Sequence, residues 1–160
     1  LHYTFILERI APGIARFRLA GQHLHALAGM EVRGMPISAF FTAASRIEIG
    51  AVLEDVFDGP HIADVTLTAV STTRTVAQTE ARMILLPLRS DSDKIDRAMG
   101  VLVADDTLSD QPCRFQITRT AKRAPFGLAP QMSEHTAEPI GFSENQTAMD
   151  GSRPHLRLVK

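Results

Sequence analysis

The chain has 160 residues, 17 basic against 18 acidic side chains for a net charge of -1, 44% hydrophobic residues and one cysteine. At that length a domain buries roughly 68–70% of its unfolded surface, enough for a core without staples. The near-neutral charge provides no field to draw nucleic acid or an anionic membrane. The lone Cys113 excludes an internal disulfide and a Cys-rich zinc cluster, which fits a reducing, cytoplasmic setting.

No apolar run approaches the roughly 18 residues that span a bilayer, and the longest uncharged apolar stretch, Met83 to Leu88, contains Pro87. The chain is therefore expected to be soluble, with no membrane partner. It opens on Leu1, and Leu1 to Glu8 lacks the basic start and cleavage site of a secretory signal, so no export is expected.

Tyr3, Phe5 and Leu7 alternate with Thr4, Ile6 and Glu8, and Ala11-Pro12-Gly13 precedes a second alternating run from Arg16, which predicts an opening hairpin. In Arg16 to Gly34 a short strand runs into Gly21 and then small and apolar residues broken by Gly29 and Gly34, the pattern of a pocket wall. Ile37, Phe40 and Phe41 make a short segment. A longer helix follows over about Ala43 to Asp58, with Ile49, Val52, Leu53, Val56 and Phe57 on one stripe and Gly59-Pro60 as its stop. Ser45 and Glu48 have capping-box spacing, and Thr42 competes as the cap.

Three strands follow, marked by Val65, Leu67 and Ala69, by Ala81, Met83, Leu85 and Pro87, and by Met99, Val101 and Val103. The middle one is apolar on both faces, as a central strand would be, although Pro87 fits only an edge, a strand end or a bulge. Cys113 to Thr118 alternates as a candidate sixth strand. Five of the nine prolines lie between Pro112 and Pro154, and residues 119–160 read as a proline-containing tail without clear domain character. The order of elements predicts an α+β domain over residues 1–118, a five-stranded antiparallel sheet with short helices and one longer helix on one face.

That order resembles the PAS domain over roughly residues 3 to 104. Arg16-Phe17-Arg18-Leu19-Ala20-Gly21, Gly29-Met30-Glu31-Val32-Arg33-Gly34 and Leu85-Leu86-Pro87-Leu88 are similar in particular to a family of small bacterial single-PAS proteins. The resemblance implies sensing rather than turnover: a small molecule or cofactor bound between sheet and helices, or a protein partner, and a change of shape or pairing passed onward. It also implies a homodimer. No kinase, cyclase or helix-turn-helix pattern occurs in the last 50 or so residues, so no output domain is expected.

Cofactor chemistry finds little support in the residues. Cys113-Arg114-Phe115-Gln116 resembles the Cys-Arg-Phe of flavin-binding photoreceptor PAS domains, but there the cysteine lies on the short helix before the long one, which here is about Ile37 to Phe41. Haem-binding PAS domains usually supply an axial histidine from the long helix or close to it; the helix here has none, and His61, just past Gly59-Pro60, reads as a turn histidine. His23 and His25 on a helix point about 200° apart and cannot readily share a metal. Ser90-Asp91-Ser92-Asp93 lacks the fixed glycine and terminal glutamate of a calcium loop and reads as a solvated turn. No phosphate loop, G-x-S-x-G elbow or dinucleotide fingerprint is present.

What remains is an apolar pocket. Its candidate lining is Phe17, Leu19, Met30, Phe40, Leu53, Phe57, Leu67, Met83, Leu85 and Val101, with Val65 and Val103 also directed inward and Ala20, Ala26 and Ala28 leaving space. Ile84 and Leu86 fall on the opposite sheet face as interface candidates. Three functions fit: a ligand- or partner-binding sensory module, an interaction adaptor with a filled core, and a small α+β enzyme. The last requires a histidine and a carboxylate converging in the pocket.

Overall fold

The computed structural model describes residues 1–70, 79–104 and 112–125. Its elements are β1 (Thr4–Ala11), β2 (Ile14–Ala20), α1 (Gln22–Ala28), a 3₁₀ turn (Ile37–Phe40), α2 (Ser45–Phe57), β3 (Ile62–Val70), β4 (Glu80–Arg89), β5 (Ile95–Ala104) and β6 (Arg114–Arg123). The strands form one antiparallel sheet in the order β2-β1-β5-β4-β3-β6. The α+β class is as expected, but the sheet has six strands rather than five. β6 pairs with β3 from Ile62↔Arg123 to Val70↔Arg114, carrying the sheet beyond the boundary expected at residue 118. The chain divides into units Leu1–Pro130 and Gln131–Lys160; the first holds every described residue. The predicted loop at 71–78 and the tail from 126 onward lie outside the described residues.

The opening hairpin turns at Pro12-Gly13, where Gly13 has φ +67°, a left-handed conformation that costs a residue without a Cβ nothing. The Gly13 N–H donates to Glu54 of α2 at 2.6 Å. Arg9 donates to Asp58 at 2.6 and 2.9 Å and to Glu54 at 2.9 and 3.1 Å, with its guanidinium 5.6 Å from the Phe57 ring centre. One arginine thus ties the hairpin to the C-terminal end of α2.

α2 buries the expected stripe of Ile49, Val52, Leu53, Val56 and Phe57 against the sheet. At its start the competition between Thr42 and Ser45 resolves by burial. Thr42 receives the Arg46 N–H on its carbonyl (3.1 Å) and the Ser45 N–H on its hydroxyl (3.4 Å), the work of a cap. Ser45 is buried and accepts the Ile117 N–H of β6 at 3.0 Å.

Two strands depart from simple alternation. Ile6 pairs with Leu19 but Leu7 pairs with Phe17, so Arg18 is an extra residue in β2. This bulge reverses the phase. Phe17 stays in the core, while Leu19, expected in the pocket, sits beside Ile6 on the outer face and is 45% exposed. In β5 it is Ala98, Gly100, Leu102 and Ala104 that face the core, so Val101 and Val103 point outward against expectation, Val103 being 47% exposed. Pro87 lies beyond Leu85, the last β4 residue paired with β3, where that side of β4 is open as a proline requires.

Candidate functional site

The inner face of the sheet and the helices above it enclose a packed apolar core where the pocket is expected. Phe17, Phe40, Leu53, Phe57, Leu67, Met83 and Leu85 are all buried there, joined by Phe5, Phe41 and Phe115. Phe17 meets Phe5 edge to face at 5.4 Å and Phe40 in the same way at 5.4 Å, the arrangement that aligns the positive ring edge with the negative ring face. Between these rings a cavity of about 10 Å³ remains, the room of a single water at most. A second cavity of about 40 Å³ lies beside Phe40, bounded by Ala28, Met30, Met35, Ala39, Pro112 and Arg114. Met30, expected in the pocket, is on the turn after α1 and is 54% exposed, so it stands at the rim. Ala26, expected to leave space inside, is exposed.

The buried polar side chains among the described residues are His23 and Ser45. The Nε2 of His23 accepts the Ala104 N–H at 3.3 Å, and its ring packs against Tyr3 at 4.7 Å. His25 is half-buried: its Nδ1 accepts the Val32 N–H at 3.2 Å, so its Nε2, 3.3 Å from the Ala20 carbonyl, carries the proton. His23 thus ties to the end of β5 and His25 to the segment after α1. His61 lies against the C-terminal end of α2, its N–H bonding the Asp55 carbonyl at 3.0 Å, and Cys113 is buried just before β6. Ser90 and Asp93 form a tight turn, with the Asp93 N–H on the Ser90 carbonyl at 3.0 Å. No histidine and carboxylate converge in the interior among the described residues, and no group of three metal-ligating side chains occurs there.

The outer face is where apolar side chains gather without a cover from any described element. Strand register sets Leu19, Ile6, Met99 and Leu86 in one cross-strand row and Val101 beside Ile84 in the next, with Val103 following along β5. Sequence reasoning found Ile84 and Leu86 here and missed the rest. The available signal was that β4 and β5 both carry large apolar residues at consecutive positions, which one buried face cannot absorb. Two open depressions score this face: about 590 Å³ over Ile84, Val101 and Val103, and about 420 Å³ over Ile6 and Leu19.

Charged groups frame the band. Glu8 accepts from Arg16 at 2.9 and 3.0 Å and from Arg18 at 3.2 Å. The Arg16 hydrogen bond, helped by the charges of Arg16, Arg18 and Arg97, holds the Glu8 carboxyl below its usual range. At the other end Arg82 donates to Asp64 at 2.8 Å. An apolar centre with a charged rim is the anatomy of a protein interface.

A family model described as PAS domain matches residues 1–103. Among solved structures 21 chains match. One is the PAS domain of a protein from Colwellia psychrerythraea, with TM-score 0.46 and 11% identity, covering 64% of this chain and 86% of that one. No curated protein matches the chain. No described helix is long and apolar enough to cross a membrane. Since the matched residues run from the start of the chain almost to the end of β5 and make up more than half of it, the chain belongs to the PAS domain family of signal-sensing and regulatory modules.

Proposed function

We propose that this PAS domain is a cytoplasmic regulatory module that works by protein contact, pairing with a second copy through the outer face of its sheet. The observation that carries the reading is the apolar band of Leu19, Ile6, Met99, Leu86, Ile84 and Val101, uncovered by any described element. The interior favours it: about 10 Å³ remains between the aromatic rings, the room of a single water at most. A signalling partner would then read the paired or unpaired state. No catalytic turnover is part of the proposal. Sedimentation of the full chain over a range of concentrations tests it, with a dimer expected and a monomer throughout contradicting it.

A second reading, small-molecule sensing, has one specific support in the 40 Å³ cavity beside Phe40. Met30 and Met35 at its rim are unbranched and adaptable, so an effector would enter there by displacing them. Reproducible thermal stabilisation by a compound from a metabolite panel would favour this reading over a closed platform.

A further inference from the structure

A sheet with two edges leaves two rows of backbone groups to be satisfied. At the β2 edge the chain does this itself: the Phe17 N–H bonds the Met35 carbonyl at 2.9 Å and the Gly34 N–H bonds the Phe17 carbonyl at 2.7 Å. At the β6 edge the cover stops early. Thr42 N–H bonds the Phe115 carbonyl at 3.0 Å and Ser45 takes the Ile117 N–H. From Thr118 to Arg123 the strand is exposed throughout, and among the described residues nothing hydrogen-bonds to its free edge.

The chemistry of that strand narrows what could add to it. Arg114 to Arg123 contains Arg114, Arg119, Lys122 and Arg123 and no acidic residue. Lys122 meets Asp55 of α2 at 3.0 Å; no ion pair is formed by Arg119 or Arg123 among the described residues. A second copy laid edge to edge would set these cations against their own like, which is destabilising between paired strands. An extended segment bearing Asp and Glu meets the opposite condition, since its backbone continues the ladder and its carboxylates face Arg119 and Arg123, which share one face of the strand.

We infer that the free edge of β6, Thr118 to Arg123, is a docking edge for an extended acidic segment of another protein, added as a seventh strand. β6 lies outside the residues matched by the family model, so this edge is an addition to the shared fold. It is also separate from the outer-face pairing proposed above.

The test uses the full chain and a labelled peptide of alternating Glu with Thr or Val, followed by anisotropy and by amide hydrogen exchange. Binding is expected to weaken with salt, because exposed charges are screened, and to slow exchange within Thr118 to Arg123. The same peptide N-methylated at alternate backbone positions is expected to lose binding. The variant R119E/R123E, changed only at exposed positions, is expected to keep the core amide spectrum, lose the acidic peptide and gain affinity for a lysine-containing analogue. Equal binding of the N-methylated peptide, protection confined to other strands, or protection of the β6 edge by raising protein concentration alone would each overturn the inference.

Discussion

Gly100 lies directly across the β1–β5 ladder from Phe5, and the Phe5 ring occupies the space that a side chain at position 100 would need. The close approach explains why β5 has no side chain at position 100. A bulky aromatic from β1 lies over β5, and Gly100 makes room beneath it.

The first prediction follows from that contact. Gly100→Ala places a methyl group into the Phe5 ring and forces a shift in a packed core, at a cost of about 1–3 kcal/mol. Denaturant unfolding should show the loss as a lower midpoint. A variant as stable as the parent would mean that the ring moves freely and that the interior is looser than its geometry indicates.

Ser45 supplies a second. Its hydroxyl is the partner of the Ile117 N–H, so Ser45→Ala leaves a buried donor unsatisfied and costs about 1–3 kcal/mol. The loss should concentrate at β6. Amide exchange at Ile117 is expected to accelerate more than at Phe5 or Leu85; uniform acceleration would show that Ser45 does not anchor this strand in particular.

The Arg9 clamp predicts a pH dependence. Its hydrogen bonds hold the Asp58 carboxyl below the usual carboxylate range, and Arg16 does the same for Glu8. A carboxyl with a depressed folded pKa contributes stability above its unfolded pKa and loses it as pH falls through the folded value. Stability should therefore decline below about pH 4. Arg9→Gln should be less stable than the parent near neutral pH, and the gap should narrow in acid as the parent loses the same interaction. A gap that stays constant with pH would assign the role of Arg9 to its packing on Phe57.

Much of the fold was legible because single positions carried strong signals. The stripe from Ile49 to Phe57, the Pro12-Gly13 turn and the alternation around Val65 and Met83 each have one physical reading. Leu19 and Val101 were misplaced for identifiable reasons. A bulge at Arg18 is set by pairing with β1, which the local pattern of β2 does not contain. β5 has Val101 and Val103 on one face and Ala98, Gly100, Leu102 and Ala104 on the other, and hydrophobicity alone selects the valines as core. At Gly100 the Phe5 ring fills the space that a larger core side chain would need. The closure of the pocket depends on how Phe5, Phe17 and Phe40 meet, three residues far apart in the chain.

The same outward turn that removes Leu19 and Val101 from the pocket places them on the apolar band. In the proposed dimer this band pairs two copies of the chain. Sedimentation equilibrium of Leu86→Glu beside Ile47→Glu tests it most directly, because Ile47 is 82% exposed but lies on α2, away from the band. Leu86→Glu is expected to be a folded monomer at concentrations where the parent and Ile47→Glu are dimers. A dimer that survives Leu86→Glu, or one that Ile47→Glu abolishes, would contradict it.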